Sequence, residues 1–276
     1  METFFTLLNI FVSLAEAIWH TLPQNAYDIL FATGLFFCGA LASFINMLSG
    51  GGSMIVLGFM MLCGVDPVVA NATNRAGVLI SVATGAAAYK SERFTDVKES
   101  LKLGLWTIPG AIIGAVFSIQ LDGELYQKIL AVVMIIIVAG MLFPSRSDSS
   151  TGEQKKDMGQ MGKWTYPAML LVGFYGGAIQ VGVGIIIFAA LHHLGRMSLM
   201  RINMHRIFIV LIFIIPSMAV FIWSGKINWV YAAALCAGNA LGAWITAKWT
   251  IKKGDRLIRL GMVISVVLMS AKFLIF

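Results

Sequence analysis

The sequence is poor in charge. Only 12% of its 276 residues are Asp, Glu, Lys or Arg, about half of what a soluble domain carries. Lys and Arg are absent from the first 74 residues. The N-terminus has no basic region ahead of its apolar stretch and carries Glu16, which excludes a secretory-signal pattern. No Walker A, HExxH or GxSxG motif is present, which excludes direct ATP drive and the common catalytic signatures. The three cysteines, Cys38, Cys63 and Cys236, have no CxxC spacing and no adjoining His cluster, so nothing calls for a metal or cofactor. No Asp or Glu lies plainly within an apolar segment, so the carboxylate relay of a proton pump is missing.

What is there is apolar. Hydrophobic residues make up 59% of the chain, with mean hydropathy +0.86. A soluble fold of this composition would expose large apolar patches, so the solvent is lipid and the fold class is an all-α polytopic bundle. The net charge of +7 sits in loops between apolar segments, where it signals topology and lipid-headgroup contact, not nucleic-acid binding. Segments of about 20 residues span a bilayer. The chain divides into an interfacial or extra helix in residues 1–27, a first repeat in 28–143, a linker in 144–163 and a second repeat in 164–276.

The two halves echo each other. Each begins with a span broken by glycines, at Gly50-Gly51-Gly52-Ser53 and at Gly182-Val183-Gly184. Each continues with a short apolar piece, a turn, and a long helix with an early arginine, Arg75 or Arg206. Each then carries glycines at four-residue spacing, Gly110 and Gly114 or Gly238 and Gly242, a spacing that lets helix backbones approach closely. Such repetition marks many secondary transporters. Basic residues cluster at Lys90–Lys102, Arg146–Lys163, Arg196–Arg206 and Lys248–Arg259. The positive-inside rule places all four in the cytoplasm only if each glycine break returns the chain to its side of entry. The halves are then inverted repeats with re-entrant helices, the linker cytoplasmic and the C-terminus outside.

Irregular backbone at membrane depth is tolerated only inside protein or beside a water-filled cavity, so the breaks mark a central site. Asn46, Gly50, Gly51, Gly52 and Ser53 belong to the first break, Gln180, Gly182 and Gly184 to the second. Asn71, Thr73 and Asn74 follow on one long helix, Asn203 and His205 on the other. Arg75 lies ~12 Å into its helix at 1.5 Å per residue, too deep to snorkel. A buried arginine costs at least ~2.5 kcal/mol in a membrane. With no acidic partner in nearby spans (Asp66 is the nearest in sequence), Arg75 and its mate Arg206 read as unpaired cations facing a cavity. That makes an anion site whose planar forks suit paired carboxylate, sulfonate or sulfite oxygens. His205 is placed to shuttle a proton.

Gly39, Ser49-Gly50-Gly51-Gly52-Ser53 and Gly64-Val65-Asp66-Pro67-Val68-Val69-Ala70-Asn71-Ala72-Thr73-Asn74 carry a family resemblance, with a weaker copy in Gly173-Phe174-Tyr175-Gly176-Gly177 through Gly184. The chain resembles the TauE/SafE family of membrane permeases from about Asp28 onward. The resemblance implies permeation of an anion, often sulfite or an organosulfonate, in the bacterial inner membrane. It departs from the family at Thr73-Asn74-Arg75 and in the basic stretch Arg201–Arg206. The leading expectation is a secondary transporter exporting a small anion by alternating access. The partners implied are that anion and membrane lipid, with homo-oligomerisation open. Alternatives are an anion channel with a fixed pore, a proton-coupled importer using His205, and a thiol-relay importer using Cys38 or Cys63.

Overall fold

A computed structural model describes residues 24–91, 97–142, 164–195 and 199–253. The expected N-terminal helix, the polar linker and the last apolar segment lie outside these residues. Among the described residues the fold is entirely helical: α1 (Gln24–Leu48), α2 (Ser53–Leu62), α3 (Pro67–Ser91), α4 (Val97–Gln120), α5 (Gly123–Leu142), α6 (Thr165–Ala178), α7 (Val183–Gly195), α8 (Leu199–Trp223) and α9 (Trp229–Lys253). Four described helices are long and apolar enough to cross a membrane, in α1, α4, α8 and α9.

Local chemistry sets the helix starts. Gly64 adopts φ +80° in the turn before α3, a conformation that glycine alone reaches without a Cβ clash. Asp66 then caps α3, its Oδ1 accepting the N–H groups of Val68 at 2.9 Å and Val69 at 3.1 Å, and Pro67 occupies the first helical position. The one acid near Arg75 in sequence is therefore a helix cap and not its partner.

The bundle is apolar outside, and its polar side chains are set within an apolar core. Leu105, Ile113 and Phe117 of α4, Leu171 of α6, and Val230 and Trp244 of α9 face outward. Ser100, Thr107, Ser118, Asn239 and Thr246 on the same outer helices are buried. In the centre, every residue of α3 from Asn71 to Val78 is buried. No face of that stretch reaches lipid, so its polar residues need protein partners.

The helices pair across the halves. The two most extensive contacts join α1 to α9 and α4 to α6; α3 also packs on α9, α8 on α4, and α3 on α8. Exchanging α1 for α6, α2 for α7, α3 for α8 and α4 for α9 leaves this pairing unchanged. The spaced glycines make the closest contacts. A Cβ on Gly110 or Gly114 would lie 2.1 Å from a carbonyl oxygen of α6, and one on Gly173 or Gly177 2.1 Å from a carbonyl of α4. Gly238 and Gly242 meet Phe36 O and Ala40 O of α1 at 2.0 and 2.1 Å in the same sense.

Candidate functional site

The first break follows Leu48. Gly50 turns at φ +85°, and α2 restarts at Ser53. Asn46 reaches over the gap: its Oδ1 accepts the Gly52 N–H at 2.7 Å, and its Nδ2 donates to Ser53 Oγ at 3.4 Å. One side chain thus satisfies the buried N–H of Gly52, immediately ahead of the restart of the helix. Gly50, Gly51, Gly52 and Ser53 are all buried.

The second break lies earlier than the sequence places it. α6 ends at Ala178, the gap runs through residues 179–182, and Val183 and Gly184 already belong to α7. The cause is a left-handed Gln180, at φ +65°, followed by Gly182 at φ +71°. Tyr175 O receives the N–H groups of Ile179 and Gln180 at 2.8 and 3.2 Å, and the Tyr175 hydroxyl donates to Val181 O. Gln180 is 1% exposed, and neither end of its amide has a hydrogen-bond partner. A left-handed non-glycine residue costs about 1–2 kcal/mol, and an unsatisfied buried amide group about 1–3 kcal/mol more. Gln180 is an expensive residue in this position.

The two arginines clamp the breaks reciprocally. Arg75 of α3 donates from Nη1 to Gly176 O and Ser217 Oγ, both at 3.1 Å, and from Nη2 to Gly177 O at 2.5 Å. Arg206 of α8 donates from Nη1 to Asn46 O at 2.6 Å and from Nη2 to Met47 O at 2.8 Å and Asn203 Oδ1 at 2.6 Å. Each half therefore places its guanidinium on the last carbonyls of the other half's broken helix. A helix C-terminus carries about half a negative charge, so the clamp is favourable without any carboxylate. Phe221 lies under Arg75 at 4.4 Å, and Phe188 flanks Arg206 at 5.5 Å.

This corrects the expectation that both cations are unpaired. They have main-chain partners that sequence does not display. The absence of acids does hold for the described residues: Arg75 and Arg206 are the buried Lys, Arg, Asp or Glu side chains there, and positions 158–254 contain no Asp or Glu.

The breaks also touch each other. A Cβ on Gly50 would lie 2.4 Å from Gly184 Cα and 2.7 Å from Arg206 Nη1, and a Cβ on Gly184 would lie 2.5 Å from Gly50 Cα. Only a glycine pair allows this approach. Gly182 supplies a left-handed turn two residues away.

The remaining expected residues divide by position. Asn71 Nδ2 donates to Ala178 O at 3.0 Å, at the second break. Asn74, on the same helix face, is buried with an unpartnered Nδ2. Asn203 orients Arg206. Thr73 lies apart from the breaks, its Oγ1 accepting the Asn228 N–H at 3.1 Å where α9 begins. His205 also points elsewhere, its Nδ1 pairing with Ser100 Oγ of α4 at 2.8 Å. Ser217 and Tyr175 are participants that pattern reading missed. For Ser217 the signal was a lone hydroxyl inside an otherwise apolar stretch of helix, a residue type that must find a partner in lipid.

A probable membrane transporter protein of Haemophilus influenzae is 26% identical over 86% of this chain and 92% of its own length. The probable membrane transporter protein YfcA of Escherichia coli is 28% identical over 87% of this chain and 88% of its own. The Bacillus subtilis probable membrane transporter protein YunE is 25% identical, covering 87% and 95%. No solved structure matches the chain at a significant level. Residues 35–273 match the family model described as sulfite exporter TauE/SafE, a span holding both breaks and both clamps, and the chain belongs to that family of multi-pass membrane transporters.

Proposed function

We propose that this chain is a secondary transporter carrying a small anion, sulfite or an organosulfonate, outward across the bacterial inner membrane, with its halves acting as inverted repeats. The observation that carries this reading is the reciprocal clamp. Two buried guanidinium groups rest on helix-end carbonyls, which present only partial charges. An oxyanion with a full charge and paired oxygens competes for the same donors. Its arrival releases a carbonyl end, and the Gly50–Gly184 contact lets the freed break move.

The exchange of helix pairings between halves supports a mechanism in which one repeat takes the other's conformation. An inside-negative potential favours anion export by about 2.3 kcal/mol per charge per 100 mV. Export then needs no coupling carboxylate, in keeping with the absence of buried acids among the described residues. The basic loops and the linker face the cytoplasm in this arrangement, and the C-terminus faces outward.

The test is a thermal-shift panel of sulfite, ethanesulfonate and acetate on the purified protein and on Arg75→Ala. At least one anion is expected to raise the melting temperature of the wild type and to lose that effect in the variant. If none moves it, the anion reading fails. Saturable flux accelerated by counter-anion separates a transporter from a fixed pore.

A further inference from the structure

The two breaks are equivalent in position but not in hydrogen bonding. Asn46 and Gln180 each stand four residues ahead of the glycine at which the breaks meet. The Asn46 amide has a partner at each end, Gly52 and Ser53. The Gln180 amide is buried with both ends unused. The helices behind them differ in the same sense. On α3, Asn71 Oδ1 and Asn74 Nδ2 are buried without partners. On α8 the corresponding positions are apolar Ile202 and His205, whose Nδ1 pairs with Ser100; the two arginines are clamped alike and do not contribute to the difference.

Unused donors and acceptors thus lie at the second break on Gln180 and Asn71, with Asn74 one turn along the same face of α3. Asn71 is fixed there by its bond to Ala178 O, which also sets which end of its amide is the oxygen. The donors, Asn74 Nδ2 and Gln180 Nε2, suit anionic oxygens. The two amide oxygens, Asn71 Oδ1 and Gln180 Oε1, do not: a bare oxyanion leaves them without a donor and places negative charge against them. A ligand bearing an O–H or N–H beside its anionic group satisfies both sets.

We infer that the anion is read at the second break alone, by Gln180 with Asn71 and Asn74, and that it carries a hydrogen-bond donor as well as its anionic oxygens. This rests on the anion-permease reading above and narrows its substrate class. It also accounts for a left-handed, buried glutamine where glycine would be the easier residue.

The experiment compares two probes that differ by one hydroxyl, 2-hydroxyethanesulfonate and ethanesulfonate. Their affinities are measured by titration calorimetry on the full chain in nanodiscs. The hydroxylated probe is expected to bind at least ~10-fold more tightly, since a site built around a donor rejects the analogue lacking it. Gln180→Gly relieves the left-handed strain and is expected to raise the melting temperature while cutting the preference to under ~3-fold. Gln180→Met, which keeps the bulk and removes the amide, is expected to lose the preference likewise. Equal affinity of the two probes for the wild type, as for a pocket that holds only water, overturns the inference and leaves the anion reading standing. So does full preference retained in Gln180→Gly. Failure of both probes to bind overturns the inference together with the reading beneath it.

Discussion

Replacing Arg75 with methionine removes one clamp and keeps a flexible apolar side chain in its place. Three hydrogen bonds disappear, to Gly176 O, Gly177 O and Ser217 Oγ. Bonds to a charged group contribute about 1.5–3 kcal/mol each, a gross loss of roughly 4.5–9 kcal/mol. Against this, a guanidinium no longer has to be removed from water, a term of about 2.5–3.5 kcal/mol on insertion scales. The net is a destabilisation of roughly 4 kcal/mol. Arg75→Lys keeps the charge, but an ammonium is a compact donor and cannot span both carbonyls and the hydroxyl as the planar fork does. Its expected cost is about 2 kcal/mol. Equilibrium unfolding in mixed micelles, followed by circular dichroism, measures both. Arg206→Met removes an equally large set of bonds and is expected to match Arg75→Met within about 1 kcal/mol. A methionine variant at either position costing under about 1 kcal/mol would refute the view that these carbonyl clamps hold the broken helices together.

The packing and capping terms give further expectations. Gly242→Ala sets a Cβ 2.1 Å from the Ala40 carbonyl oxygen and forces α1 and α9 apart, at about 1–3 kcal/mol in the same unfolding assay. Gly64→Ala meets no atom within 4 Å but holds a positive φ, so its cost is the backbone term of about 1–2 kcal/mol alone. Asp66→Ala strips the cap from α3 and is expected to cost about 1 kcal/mol, with Asp66→Asn recovering most of it. His205→Phe leaves Ser100 Oγ without its imidazole partner; if His205 relays no proton, the pH profile of anion flux is unchanged even where stability falls.

Much of this architecture is legible in the residues, because glycine and proline mark backbone events directly. The helix end at Leu48, the restart at Ser53 and the α3 start at Pro67 all follow from local chemistry. The spaced glycines of α4 and α9 foretell close helix contact, though not which helix they touch. The second break is misplaced because a left-handed glutamine has no sequence signature, whereas Gly182-Val183-Gly184 looks like one. The partners of Arg75 and Arg206 are illegible for a deeper reason. They are backbone carbonyls more than 100 residues away, and every residue type carries a carbonyl. Thr73 and His205 show the opposite error: polar residues near a site in sequence are drawn to other helices by the need to pair in a low-dielectric interior.

In the proposed mechanism a travelling anion displaces carbonyls from the buried guanidinium groups. The decisive measurement is flux of radiolabelled sulfite from proteoliposomes under a potassium-diffusion potential. Efflux that saturates, quickens as the interior is made more negative, and falls to background in Arg75→Lys at matched protein content is the expected result. Efflux indifferent to voltage, or undiminished in Arg75→Lys, would contradict it.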